Sequence, residues 1–242
     1  MKSLFIFLFG ALAQGLGPVA LGAVLGTNVF VPGVPLSTNE MDFIRIAAGK
    51  SLAAFRSHIT PANYRLMGFN STNEVLIATN GEPLLSFPVQ ENQLTNYHSG
   101  HDFNFLLGLA PQSQPRAFVP IMVGTNVRSS TTLRFEKGPV GSPGQWAGDD
   151  WGHPKLIRSL LATYRAIPSG EIRPGSVPFV VEIPVPKIWL VGYYDIHKKL
   201  VFRSTVDIRL GPITINRNEV VTRPAMQQLA TQARRYNPEL PN

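Results

Sequence analysis

The most regular alternation of hydrophobic and polar residues lies between Lys198 and Leu210. One parity carries Leu200, Phe202, Val206, Ile208 and Leu210, and the other carries Arg203, Thr205, Asp207 and Arg209. This period of two is typical of a half-buried antiparallel strand, with one dry face and one wet face. The neighbouring segments 178–185 and 187–195 are two further strand candidates. We therefore predict that these three segments form the organising sheet.

Helices are predicted where the hydrophobic residues no longer alternate with a period of two. Ser37-Thr-Asn-Glu40 is a capping box, in which each side chain satisfies the backbone N–H group of the other residue. It predicts a helix over 38–58, with an apolar stripe toward the core made of Phe43, Ile46, Ala47, Leu52 and Phe55. A second helix is predicted over 154–166, and a third over 224–236 with Thr222 as its cap.

Turn residues divide the remainder of the chain. Asn80-Gly81 is a favoured two-residue turn, so segment 74–89 is predicted to form a β-hairpin. Segments 116–126 and 130–138 are further strand candidates, and 138–154 is predicted to be a long Gly-rich loop that carries two Trp residues.

These elements predict a mainly β fold. We expect an antiparallel sandwich or a partly open barrel of about seven to nine strands, with an N-terminal helix and two further peripheral helices. The 242 residues contain 21 Gly and 21 Pro spread along the chain, which fits many short connections. Residues 27–242 are predicted to form a single β-rich domain, with a helical lead-in at 38–67 and a C-terminal helix at 224–236.

The first 26 residues are predicted to be a signal peptide or a membrane anchor. Lys2 is followed by an apolar run, and Ala11-Leu-Ala13 fits a cleavage site. The apolar character continues beyond that site, so an uncleaved anchor and a buried or membrane-inserting segment stay open. We expect the protein to be exported, to the periplasm, cell envelope or extracellular space, or to associate with a membrane through residues 4–26.

Composition excludes several kinds of chemistry. The chain has no Cys, which excludes disulfides, zinc-thiolate sites and thiol nucleophiles. The net charge of +7 comes mostly from scattered residues, which favours a solvated basic surface. A nucleic-acid partner is not expected, although the charge does not exclude one. Segment 15–20 matches G-x-G-x-x-A, but Pro18 lies inside the loop, so no cofactor is predicted.

Two polar clusters are weak catalytic candidates. His98, His101 and Asp102 lie close in sequence, but their spacing is uncommon for zinc, and no metal site is predicted. Asp149 and Asp150 precede His153, and this group suits acid–base chemistry. The competing interpretation is that one of these Asp residues caps the helix that begins at Pro154.

Four further residues are candidates for binding. Trp146 and Trp151 suit stacking on a sugar or a partner, or anchoring of a loop. Arg203 and Arg209 share one predicted strand face with Asp207, as a solvated row of ion pairs or as a polar subunit interface. Asn70-Ser-Thr is a glycosylation sequon, which has meaning only in a eukaryotic host that glycosylates secreted chains.

The sequence favours a non-catalytic structural or interaction protein within a larger assembly. A cell-envelope component, a secretion-complex component and a viral structural protein all fit this description. The partners are then other protein subunits, in an oligomer or a multiprotein complex. A secreted hydrolase or glycan-binding protein that uses the His98/His101/Asp102 cluster or the 146–153 loop is the other interpretation.

Overall fold

The computed structural model describes residues 30–108, 115–138 and 144–236. The predicted signal peptide or anchor at 1–26 lies outside these residues. The helices of the described ranges are α1 (Thr38–His58), α2 (Thr72–Ile77), α3 (Glu91–Thr95), α4 (Asn104–Leu107), α5 (Pro154–Arg165) and α6 (Arg223–Tyr236), with a 3-10 turn at Ser169–Glu171. The strands are β1 (Thr79–Asn80), β2 (Leu84–Pro88), β3 (Arg116–Val123), β4 (Asn126–Glu136), β5 (Gln145–Gly152), β6 (Phe179–Ile183), β7 (Ile188–Tyr194), β8 (Leu200–Ser204), β9 (Ile208–Leu210) and β10 (Ile213–Ile215).

Eight strands form one mixed sheet, in the order β5-β4-β3-β2-β6-β7-β8, with β1 also paired to β3. Strands β2 and β6 are parallel, with Ser86 opposite Val180, and the other pairings of this sheet are antiparallel. β9 and β10 form a separate two-stranded sheet. The predicted mainly β fold with an N-terminal helix is confirmed, and its large sheet is mixed.

Both faces of the large sheet carry packed layers. α1, α3, α6 and the β9–β10 ribbon cover one face, where their apolar residues join those of the strands in one buried cluster. α5 packs on the other face, where Ile157 and Leu160 contact a smaller cluster from β2, β3, β6 and β7. Strand residues of opposite parity therefore enter different cores, as the pleat requires.

The capping box predicted for α1 is confirmed. The Glu40 backbone N–H donates to Ser37 Oγ at 3.3 Å, and the Ser37 N–H donates to Glu40 Oε2 at 3.0 Å. The observed helix spans Thr38–His58, as predicted. The helices predicted at 154–166 and 224–236 are present as α5 and α6, and the Ala225 N–H donates to Thr222 Oγ1 at 3.4 Å.

The predicted hairpin at 74–89 is wrong. Ser71 accepts from the Glu74 N–H and starts α2, so the first arm of that hairpin is helical. β1 and β2 do not pair with each other; both pair with β3. The Gly81 N–H donates to the Pro120 carbonyl at 2.8 Å, so Asn80-Gly81 connects two segments on the same side of β3.

Two further predictions need correction. The described part of the predicted loop at 138–154 contains β5, which pairs with β4 along its length. The single strand predicted over 198–210 is interrupted at 205–207, so β8 and β9 belong to different sheets. Thr205, at the interruption, is buried, and its hydroxyl donates to the Trp189 carbonyl at 2.6 Å.

Candidate functional site

β5 is an edge strand with a β-bulge at Asp149. Asp150 is opposite Thr132 and Gly148 is opposite Leu133, so Asp149 has no partner residue on β4. β5 advances by two residues, from Gly148 to Asp150, where β4 advances by one, from Leu133 to Thr132. An extra residue on one strand of a pair is a β-bulge. The alternation of side chains along β5 is therefore shifted by one residue at this point.

The bulge places both Trp residues of β5 on the α1 face of the sheet. Trp146 and Trp151 are five residues apart, so a regular strand would place them on opposite faces. Trp146 is opposite Phe135, a member of the core on the α1 face. Trp151 is opposite Thr131, whose hydroxyl lies 2.6 Å from Ser51 Oγ of α1.

The contacts of both Trp residues indicate that they stabilise the fold. Trp146 is 9% exposed, with its ring 5.5 Å from Phe30 and 5.4 Å from Phe135. The Trp151 indole N–H donates to Ser51 Oγ at 2.9 Å. Trp146, one of the predicted binding residues, therefore packs in the core with no free ring face for a sugar, while Trp151 anchors β5 to α1.

Asp149 lies in a row of alternating charges on the α5 face. Its carboxylate lies 3.7 Å from Arg116 Nε and 3.8 Å from Arg134 Nη1. Arg116 also binds Glu182 at 3.2 Å, and Arg134 binds Glu136 at 3.0 Å. Charges and a bulge on an edge strand oppose pairing with another sheet, so this row protects the edge of the fold.

Asp150 and His153 form a partly exposed pair. Nε2 of His153 lies 2.8 Å from Asp150 Oδ2. Partial burial raises the pKa of Asp150, but hydrogen bonds from His153 and from the Trp151 N–H, with the charges of His153 and Lys187, outweigh this effect and hold the pKa below its usual value. Asp150 therefore stays ionised at neutral pH and orients an imidazole.

Neither of these Asp residues caps α5, which corrects one interpretation of the sequence. The N-cap position belongs to His153, at φ 57°, and its side chain makes no capping hydrogen bond. Asp149 faces two guanidinium groups and Asp150 binds His153. The acidic pair is thus part of the β5 bulge and its charged surroundings.

The rings of His98 and His101 are in contact but tilted, with centroids 3.7 Å apart and an interplanar angle of 36°. His101 stacks on Phe105 at 3.7 Å with an interplanar angle of 5°. Asp102 accepts from the Asn104 backbone N–H at 3.0 Å and from its side-chain amide at 3.1 Å. Within the described ranges, no three His, Asp or Glu side chains are grouped so that they would hold a metal ion.

Arg203 and Arg209 do not share a strand face. Arg203, on β8, binds Glu171 at 2.8 Å and the Asn218 carbonyl at 2.9 Å. Arg209 is exposed on β9, in the small sheet. The predicted row of ion pairs with Asp207 is therefore absent; one Asp207 oxygen accepts from the Arg217 backbone N–H at 2.8 Å.

Asn70, the sequon residue, is exposed at the start of α2. Its side-chain amide donates to Glu74 Oε1 at 3.2 Å and its backbone N–H to Glu74 Oε2 at 2.8 Å. The bond from the backbone, opposed by desolvation and aided by Arg128, holds the pKa of Glu74 below its usual value. The sequon is thus part of a local capping arrangement.

Two neighbouring cavities lie beside α1 and share Glu82 and Pro83. The larger, of about 300 Å³, is lined mainly by apolar residues of segment 33–36, β2 and segment 177–179. The other, of about 290 Å³, is lined by α1 and by Asn80, whose Oδ1 atom is buried with no hydrogen-bond partner. Neither cavity contains a residue that the sequence singled out for chemistry.

The surface of α1 contradicts the predicted stripe. Phe43 and Ile46, which the sequence predicts in the core, are 62% and 57% exposed. The buried residues of the helix are instead Ile44, Ala47, Ala48, Ser51, Leu52 and Phe55. Small side chains at Ala47, Ala48 and Ser51 permit a close approach to the sheet.

The exposed side of α1 combines apolar and charged residues. We define the α1 outer face by six residues that point to solvent, which are Asp42, Phe43, Ile46, Gly49, Lys50 and Ala53. Asp42 binds Arg45 at 3.3 Å, and Arg45 also binds Glu82 at 3.3 Å. The α1 outer face was not singled out by the sequence.

No family model, curated protein or solved structure matches this chain. None of the helices in the described ranges has both the length and the apolar character that a membrane span requires. The function is therefore inferred from the fold and from the surfaces described above.

Proposed function

We propose that this protein is a non-catalytic interaction protein that works as a subunit of a larger assembly, exported or associated with a membrane through its N-terminal residues. The apolar N-terminal sequence supports the location, and the α1 outer face supports the interaction. The observation that carries the proposal is the exposure of Phe43 and Ile46 on adjacent turns of α1.

Such a pair has a specific energetic meaning. Single apolar side chains on a surface are ordinary, but clustered ones mark contact sites, because burial in a complex removes apolar area from water. Leu76 and Ile77 of α2 are also exposed, at 69% and 67%. Arg56 of α1 donates to the Val75 and Ala78 carbonyls, which holds α2 beside the last turns of α1. Both helices thus offer apolar surface to a protein partner.

Ile46→Asp tests the interaction. A matched control is Ile196→Asp, because Ile196 is 56% exposed and lies outside α1. The native assembly would be captured through the full chain and its size measured by light scattering. We expect Ile46→Asp to dissociate the chain from its partner subunits and Ile196→Asp to leave it associated. Equal association of both variants would contradict the proposal.

One observation favours a second candidate, a secreted hydrolase. The Asp150–His153 pair provides an ionised carboxylate that orients an imidazole, which is the arrangement of a general base. Its test is hydrolysis of a panel of ester and glycoside substrates by the wild-type chain and by Asp150→Asn. An activity that Asp150→Asn lowers by at least about a hundredfold would favour the enzyme.

A further inference from the structure

We propose that the α1 outer face binds a second copy of this chain, with the two α1 helices antiparallel and related by a two-fold axis at Ile46. This inference rests on the proposed interaction function and names its partner. In such an isologous contact, each residue that precedes Ile46 lies level, along the helix axis, with the residue that follows Ile46 by the same number of positions in the partner subunit.

Charge is complementary about Ile46. Asp42 lies four residues before Ile46, and Lys50 lies four residues after it, so both are about 6 Å along the helix from the proposed axis. Antiparallel pairing therefore places Asp42 level with Lys50 of the partner subunit, and the symmetry repeats this ion pair on the other side. Parallel pairing would instead bring like charges together, which costs free energy.

Shape is complementary about the same point. Phe43 lies three residues before Ile46, and Gly49 lies three residues after it. A Cβ atom built on Gly49 would meet no atom within 4 Å apart from its chain neighbours and the backbone of its own helix, so the helix surface there is open. The large ring of one subunit is thus level with the residue that has no side chain in the other, while the two Ile46 side chains meet at the centre.

The charged residues are available for these contacts. Among the described residues, Lys50 makes no ion pair, and Asp42 binds only Arg45. Arg45 keeps its bond to Glu82 when Asp42 turns toward the partner subunit. The apolar centre supplies affinity and the two ion pairs fix direction and register, as in other interfaces that place opposite charges around an apolar core. A single helix pair is a small contact, so the dimer dissociates on dilution.

Charge reversal and its rescue test the pairing. Association of the full chain would be measured by sedimentation equilibrium for the wild type, Asp42→Lys, Lys50→Asp and the double variant, with helix content checked by circular dichroism. We expect a wild-type dimer, at least about tenfold weaker association in each single variant, and recovery to within about threefold in the double variant. Ile196→Asp is the control and should match the wild type.

Several results would overturn the inference. They are a monomeric wild type at the highest soluble concentration, single variants that associate like the wild type, or a double variant no better than the single ones. If circular dichroism shows that one single variant has lost helix content, only the other single variant is compared with the wild type in dimer affinity. If the wild type is monomeric while Ile46→Asp still releases the native assembly, self-pairing fails and the proposed function stands. If Ile46→Asp changes no association, the proposed function itself fails.

Discussion

Glu171 Oε2 lies 2.8 Å from Arg203 Nη2, and this contact ties the 3-10 turn after α5 to β8. The same oxygen accepts from the Tyr193 hydroxyl at 2.8 Å, and the Arg203 Nη1 atom donates to the Asn218 carbonyl at 2.9 Å. Arg203 therefore joins three segments of the chain on the α5 side of the sheet. Its side chain is 16% exposed, so the guanidinium is largely shielded from water, while the Glu171 side chain is 44% exposed.

Arg203→Met should destabilise the protein by about 1–3 kcal/mol, because the Asn218 carbonyl loses its side-chain donor and the Glu171 carboxylate keeps only the Tyr193 hydroxyl of its two donors. Arg209→Met is the matched control, since Arg209 is exposed on β9 and its replacement should cost less than about 0.5 kcal/mol. Urea unfolding of the three proteins measures the difference. Equal stabilities for the two variants would show that the Glu171–Arg203 contact is not stabilising.

Glu171 should make stability depend on pH. The hydrogen bond from Tyr193, followed by that from Arg203, holds the pKa of Glu171 below its usual value; desolvation opposes this shift and the charge of Arg203 adds to it. The charged form is favoured in the folded state, so its stabilisation is complete above the unfolded pKa, about 4.3, and is lost as pH falls through the lower folded pKa. The effect is small because the side chain is 44% exposed.

The measurement is the stability difference between the wild type and Glu171→Gln across pH. We expect a constant difference above about pH 5 and a decrease toward zero in more acidic buffer. Tyr193→Phe removes the main cause of the shift and should move the decrease to higher pH. A difference that grows on acidification would contradict the assigned direction.

Local signals predicted the helix ends well. The Ser37–Glu40 box involves contacts three residues apart, and the Thr222 cap is equally local. Such signals act before any tertiary contact forms, so they are legible in the sequence. The rotation of α1 was not legible, because it depends on a distant strand: a Cβ on Gly148 of β5 would lie 3.3 Å from Ser51 Oγ. This close approach selects the side of α1 that carries small residues and leaves Phe43 and Ile46 exposed.

The strands likewise depend on contacts between residues that are distant in the sequence. β5 has few apolar residues and a bulge, so its pattern contains no regular period, and only its pairing with β4 defines it as a strand. The hairpin prediction failed because an Asn-Gly turn does not decide whether the two segments beside it pair with each other or with a third strand. Here both β1 and β2 pair with β3. The two acidic neighbours were found from sequence, but the bulge that places Asp149 among Arg residues was not.

Trp146→Ala should be strongly destabilising, by about 3–5 kcal/mol, because it leaves a cavity among Phe30, Phe135 and the sheet. The comparison variant is Trp151→Phe, which keeps most of the ring and loses the hydrogen bond to Ser51, at a cost of about 1 kcal/mol. Denaturant unfolding with tryptophan fluorescence distinguishes them. A Trp146→Ala protein as stable as Trp151→Phe would show that Trp146 is not a core residue.

Removal of residues 1–26 should leave a folded and soluble protein of unchanged stability, while removal of residues 1–30 should lower the free energy of unfolding. Phe30 is 7% exposed, and its ring lies 4.9 Å from Phe135 and 5.5 Å from Trp146. The shorter truncation keeps this contact, whereas the longer one loses it, at a cost of about 3–5 kcal/mol. Circular dichroism and urea unfolding of both proteins measure the outcome, and Phe30→Ala in the 27–242 protein should reproduce the loss. If the 27–242 protein is already unfolded, the first 26 residues belong to the core, and the prediction of an export or anchoring segment is wrong.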